Sequence, residues 1–241
     1  MRSCDGAKQI SPTIATEGEL AETKSLAQTV TSRSRSLMEE GDISHRYDHA
    51  VCVAKLCKKI GKREGADLEL LTLAAYLHDA VPRGKSGRVP HYLASAREAE
   101  EFLLSEGISK KWSRSVRDVI VESSYEAAIE GRRPSSLEAK VLRDADFLEA
   151  MGARGIARAF AFIGWYRGKS LGELDWDPDD PPKLRMNKTG PDPSAIWHFA
   201  SKLLRLKGMM CTKTGKRLAE RRHAFMVRFL KRYGIEMAAI Q

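Results

Sequence analysis

From Glu17 onward, apolar residues return every three or four positions, and polar breaks carrying Gly, Pro, Asp or Ser separate one run from the next. Leu20, Leu26, Ala27, Val30, Leu37 and Met38 form a first stripe that stops at Gly41-Asp42. His49, Val53, Leu56 and Ile60 fall at i, i+4, i+7 and i+11, a second helical face, with Asp48 as its expected N-cap. Asp67 then caps a helix in which Leu70, Leu71, Leu73, Ala74 and Leu77 leave little polar surface, as a central core helix requires. The next helix runs from about His91 to Glu106 and is stopped by Gly107. Ser109 caps another through Trp112, Val116, Val119 and Ile120.

Ser135-Ser136-Leu137-Glu138 reads as a capping box and predicts a helix through Val141, Leu142, Ala145, Leu148 and Met151. Phe160, Phe162, Trp165 and Tyr166 follow at helical spacing and read as core. Ser194 opens the last helical part, through Leu203, Leu204 and Leu206 and then Leu218 to Tyr233. Strand-period alternation never lasts more than a few residues, so the expected fold is all-α. Two stretches break the pattern. Residues 1–16 have no periodicity and are expected to be a disordered tail, and 168–193 are acidic and rich in Pro and Gly, an irregular insertion or lid within a single domain over 17–241.

Composition adds limits. A hydrophobic fraction of 42% over 241 residues supplies a sizeable core. No run approaches the roughly 18 consecutive apolar residues of a membrane span, and Met1 to Gly6 lack a signal-peptide core, so the expectation is a cytoplasmic protein without membrane contact. Cys4, Cys52, Cys57 and Cys211 lack CxxC spacing and read as reduced thiols, Cys52 and Cys57 within the core. The net charge of +9 suits nucleic acid or a phosphorylated small molecule, and the cations crowd the chain after Lys202.

The candidate chemistry begins where the apolar Ala74–Leu77 run meets His78-Asp79, shortly before Pro82. Neighbouring helical residues point about 100° apart, so both side chains can reach one ion only if it sits at the helix end. His49, taken alone, reads as a core histidine; with His78 and Asp79 it becomes a candidate ligand. Asp144 and Asp146 are about 200° apart on one helix, so only one of them can join. Two imidazoles with two carboxylates suit a divalent cation (Mn²⁺, Fe²⁺, Co²⁺, Ni²⁺ or Zn²⁺, with Mg²⁺ in range) and leave room for water and phosphoryl oxygens. The basic loop Arg83–Arg88 beside them suits phosphate, though its Gly spacing is not that of a Walker loop.

The order H, HD, D resembles the HD-domain superfamily of metal-dependent phosphohydrolases. The likeness runs from about Ile43 to Glu236 and includes Ser44-His45, Leu77-His78-Asp79, His91 with Ser95-Ala96, Leu137 to Leu148, Gly152 to Arg158 and Phe199 to Leu206. It implies a helical HD bundle with added C-terminal helices, and its A-D-x-L pattern selects Asp146 over Asp144 as fourth ligand beside His49, His78 and Asp79. Many relatives carry His-Ser where this chain has Ser123-Ser124, which implies one ion rather than two. The resemblance further implies hydrolysis of a small phosphorylated substrate, a nucleotide, by activated water. Asp79 would orient that water, and His91 would give a proton or touch phosphate. Lys85, Arg158 and Lys202 would meet the phosphate charge, the last two on resemblance. The rival readings are a nucleic-acid-binding module using the basic C-terminal helices, and a structural role for the buried polar groups.

Overall fold

The computed structural model describes residues 17–39, 45–82, 85–167, 170–182 and 192–240, with backbone alone at 17–25 and 165–167. The expected tail, Gly41-Asp42, Arg83-Gly84, the Trp165 and Tyr166 side chains and residues 183–191 of the insertion lie outside that description. Among the described residues there are ten α-helices, one 3₁₀ helix and no strand, so the architecture is all-α.

Helix α3 (Leu68–Leu77) lies at the centre, packed by α1 (Glu17–Met38), α2 (Tyr47–Glu64), α4 (His91–Ser105), α5 (Lys110–Ser123) and α7 (Leu137–Glu149). It is apolar nearly all round, and Leu71, Leu73, Ala74, Ala75 and Leu77 are all buried. Asp67 is its N-cap, accepting from the backbone N–H groups of Glu69 at 2.9 Å and Leu70 at 3.0 Å. Gly65, with φ of 80°, turns the chain out of α2.

Two caps differ from the sequence expectation. Helix α2 begins at Tyr47, so Asp48 lies inside its first turn and pairs with Arg154 instead of capping. The cap of α7 is Ser136, one residue later than the predicted box, and accepts from Ala139 N. Glu138 is thereby released to accept from Asp67 N at 3.0 Å, while Ser135 bonds Glu122. Glu138 thus ties the start of α7 to the start of α3, and Glu122 ties the end of α5 to the turn before α7.

Helix α8 (Gly152–Arg167) follows α7 at once, and Phe160 packs against Phe199 and Phe229. Residues 170–182 contain no helix, and Leu174 and Trp176 pack against the core. Tyr233 Oη donates to Gly172 O at 2.7 Å, and Lys231 pairs with Asp179, so this part lies along α10 (Lys213–Ala238). α6 (Tyr125–Ile129), α9 (Ala195–Ser201) and the 3₁₀ helix Leu203–Met209 complete the set. Cys52, Cys57 and Cys211 are unbridged, and Cys57 is in the core.

Asp144 is turned away from solvent, and its hydrogen bonds go to neutral groups. It is fully buried and accepts from Cys211 N, Thr212 N and Thr212 Oγ1 at 2.7, 2.7 and 2.6 Å, fastening the start of α10 to α7.

Candidate metal centre

Three elements deliver the site. The first turn of α2 supplies His49, the end of α3 supplies His78 and Asp79, and α7 supplies Asp146. The last turn of α3 stops at Leu77 with Ala80 N bonded back to Leu77 O, and this places the His78-Asp79 pair at the helix end. His49 Nε2 lies 3.2 Å from His78 Nε2, 3.6 Å from Asp79 Oδ2 and 3.5 Å from Asp146 Oδ1. His78 Nε2 lies 3.7 Å from Asp79 Oδ2 and 3.9 Å from Asp146 Oδ1. Ligands at about 2.0 to 2.2 Å from a common cation stand roughly 2.8 to 3.6 Å apart in octahedral or tetrahedral arrangements, close to the spacing among His49, His78 and Asp79, while Asp146 stands at the looser edge of the set.

The tautomers strengthen the case. His49 Nδ1 faces Glu149 Oε2 at 2.9 Å and His78 Nδ1 faces Ala75 O at 2.8 Å. Both partners are acceptors, so both Nδ1 atoms donate outward and both Nε2 atoms are turned inward, toward one another and toward Asp79 and Asp146. Two ring nitrogens so placed share either a proton or a cation, and an outer acceptor on each Nδ1 is the usual companion of a metal-ligating imidazole.

Burial by itself would raise the Asp79 carboxyl, but the imidazoles of His78, His49, His91 and His45 outweigh it and hold the group well below the ordinary carboxylate range. Its other oxygen, Oδ1, lies 3.7 Å from His91 Nδ1 at the start of α4. Asp146 is the most open of the set, 30% exposed against 13% for Asp79, so the cluster opens to solvent on its side.

Residues 46–151 match the HD domain family. The protein YpgQ of Bacillus subtilis is 34% identical over 207 residues, which cover 85% of this chain and 90% of YpgQ. The chain belongs to the HD domain superfamily.

Solved structures agree with this. YpgQ in complex with ADP aligns with a TM-score of 0.66 and 32% identity, over 89% of this chain and 96% of that one. A Lactobacillus plantarum protein aligns at 0.72 with 28% identity, over 94% and 100% of the two chains. An HD-superfamily hydrolase from Bacillus thuringiensis aligns at 0.66 with 26% identity, over 90% and 99%.

Within this HD fold the structure brings together His49, His78, Asp79, Asp146 and His91. Lys85 is exposed on the loop after Pro82, with its N–H on Pro82 O. The Arg158 guanidinium sits on Glu149, and Lys202 Nζ lies 4.3 Å from the centre of the Tyr125 ring. Two participants escaped the sequence reading: Glu149, and Arg154, which bonds both Glu149 and Asp48. Glu149 stands three residues after Asp146 on the same helix face, the one spacing that could have flagged it. Buried Ser123 donates its hydroxyl to Ile120 O at 3.0 Å on its own helix.

Proposed function

We propose that the protein is a metal-dependent phosphohydrolase acting on a small phosphorylated substrate, a nucleotide by preference, with His49, His78, Asp79 and Asp146 holding one divalent cation. The observation that carries this reading is the pair of Nε2 atoms, 3.2 Å apart, turned inward between two carboxylates while each Nδ1 faces an outer acceptor. The ADP bound by YpgQ supports a nucleotide. The Ser123 hydroxyl, satisfied within its own helix, supports one ion over two.

A cation held by His49, His78, Asp79 and Asp146 would polarise a phosphoryl oxygen and lower the pKa of a water beside it. The chain's own groups manage protons and charge. Asp79, ionised and facing His91 through Oδ1, accepts a hydrogen bond from the attacking water and orients it, the water's proton passing to solvent on the open Asp146 side as the oxygen–phosphorus bond forms. His91 supplies a proton to the leaving oxygen as the old bond breaks. Lys85 and Lys202 are assigned to phosphate charge, and Arg158, engaged by Glu149, is assigned to holding the outer carboxylate.

The nucleic-acid alternative rests on α10, whose exposed cations are partly matched by Lys231–Asp179 and Arg232–Glu236 pairs. The deciding experiment is a panel of nucleotides and phosphoesters incubated with protein stripped by chelator and reloaded with Mn²⁺. Hydrolysis is expected in the wild type and lost in His78→Ala and Asp146→Ala; hydrolysis that persists in both would overturn the mechanism.

A further inference from the structure

On the far side of Glu149 from the metal cluster, a cavity of about 380 Å³ opens between α2, the α7–α8 junction and α10. That is small-molecule size. Its walls combine apolar surface from Leu56 and Met151 with three cations, Lys55, Arg154 and Arg222, and one carboxylate, Glu149. Glu149 is already neutralised by Arg154 and Arg158. Arg154 is also matched by Asp48. Lys55 and Arg222 are different.

Arg222 donates to the Leu148 carbonyl and has no carboxylate partner among the described residues; the same holds for the exposed Lys55. Burial depresses the Arg222 guanidinium, the sign of a charge removed from water without full compensation. Its stem is fixed against Gly152, whose φ of 74° starts α8, and a Cβ there would stand 3.2 Å from Arg222 Cγ. A guanidinium fork held in place, with an ammonium facing the same cavity, suits a dianion better than a single carboxylate.

We propose that this cavity is a second binding site, taking a small phosphate ester with its phosphate between Arg222 and Lys55 and its apolar body on Leu56 and Met151. Arg154 borders both this cavity and the Glu149–His49 contact. A phosphate drawn toward it competes with Glu149, so ester binding and divalent-metal binding are coupled and change each other's affinity by the same factor.

The test is calorimetric titration of the chelator-treated full-length protein with phenyl phosphate. Without a cation, Asp79 and Asp146 repel an anion, so the titration reads the cavity whether or not the hydrolytic reading holds. Binding is expected in the wild type and unchanged in Asp146→Asn. Lys55→Glu, a surface change that leaves the core intact, is expected to weaken it at least tenfold, and Arg222→Met likewise. Inorganic phosphate, lacking the apolar body, is expected to bind at least fivefold more weakly. Absence of binding, binding indifferent to Lys55→Glu, or equal affinity for the two probes would overturn the proposal.

Discussion

The Glu149 carboxylate accepts the Nδ1 proton of His49 at 2.9 Å, both side chains being 1% exposed. Arg154 and Arg158 hold it from the other side. The carboxylate fixes the imidazole's rotation and would raise its basicity toward a bound cation, so its loss should weaken metal binding without removing a ligand atom. Glu149→Ala is expected to lower Mn²⁺ affinity by about 10- to 100-fold, and Glu149→Gln, which keeps an acceptor, by less. Isothermal titration of the two variants checks the order.

Asp144 and Asp146 are two residues apart and should fail in opposite ways. Asp144→Ala strands the N–H groups of Cys211 and Thr212 and the Thr212 hydroxyl, all bonded to one buried carboxylate. The expected loss is about 3 kcal/mol of unfolding free energy, with metal affinity of the folded protein retained. Asp146→Ala should leave stability in chelator within about 1 kcal/mol, since its carboxylate is partly exposed, while abolishing tight metal binding. Urea denaturation in chelator and metal titration, run on both variants, separate the two roles.

That contrast marks how far the sequence could be read. Helix α3 was legible because everything defining it is local: Asp67 before it, Gly65 turning the chain in, an apolar run, then His78-Asp79. Periodicity left Asp144 and Asp146 equivalent, since either could face the bundle. Resemblance preferred Asp146, and the structure turns Asp144 toward Thr212, whose position beside α7 is a product of the whole fold. Glu149 was illegible for the same reason: its function depends on His49, a hundred residues earlier, and on guanidiniums from the next helix. The misplaced α7 cap shows the reverse error, a local motif overridden because Glu138 finds a better donor on Asp67.

His91 faces the oxygen of Asp79 that is turned from the other imidazoles, the place a proton donor to the leaving group would occupy. His91→Ala is expected to lower kcat by about 10²- to 10⁴-fold with Mn²⁺ affinity nearly unchanged. Added imidazole should recover part of the rate by filling the vacated volume. A variant with wild-type kcat would remove His91 from the chemistry.

Glu64, at the end of α2, accepts from Thr214 N at 2.7 Å in the first turn of α10. Bonds from the Thr214 side chain and backbone hold its carboxyl below the ordinary value. A lowered folded value means the stabilisation is present above the unfolded pKa of about 4.3 and is lost as pH falls through the folded one. Glu64→Gln should therefore cost about 0.5 kcal/mol near neutrality, the group being well screened by solvent, and progressively less in acid. Urea midpoints of both proteins from pH 6 downward should converge.

Gly215 sits in the first turn of α10, under the same Asp144 contacts. A Cβ there would stand 2.7 Å from Asp144 Cγ and 2.9 Å from Thr212 Oγ1, inside van der Waals distance of both. Neither neighbour can yield cheaply, because Asp144 is fixed by three hydrogen bonds and the Thr212 hydroxyl accepts from Gly215 N at 2.9 Å. Alanine is ordinarily the better helix residue by about 1 kcal/mol, so propensity predicts that Gly215→Ala stabilises the protein. The clash predicts the opposite, a loss of about 2 kcal/mol or more as α10 is pushed off α7. Gly164, in α8 with open space around its Cα, supplies the control: Gly164→Ala should follow propensity and raise the urea midpoint. If both substitutions stabilise, the Asp144 anchor is looser than its hydrogen bonds imply.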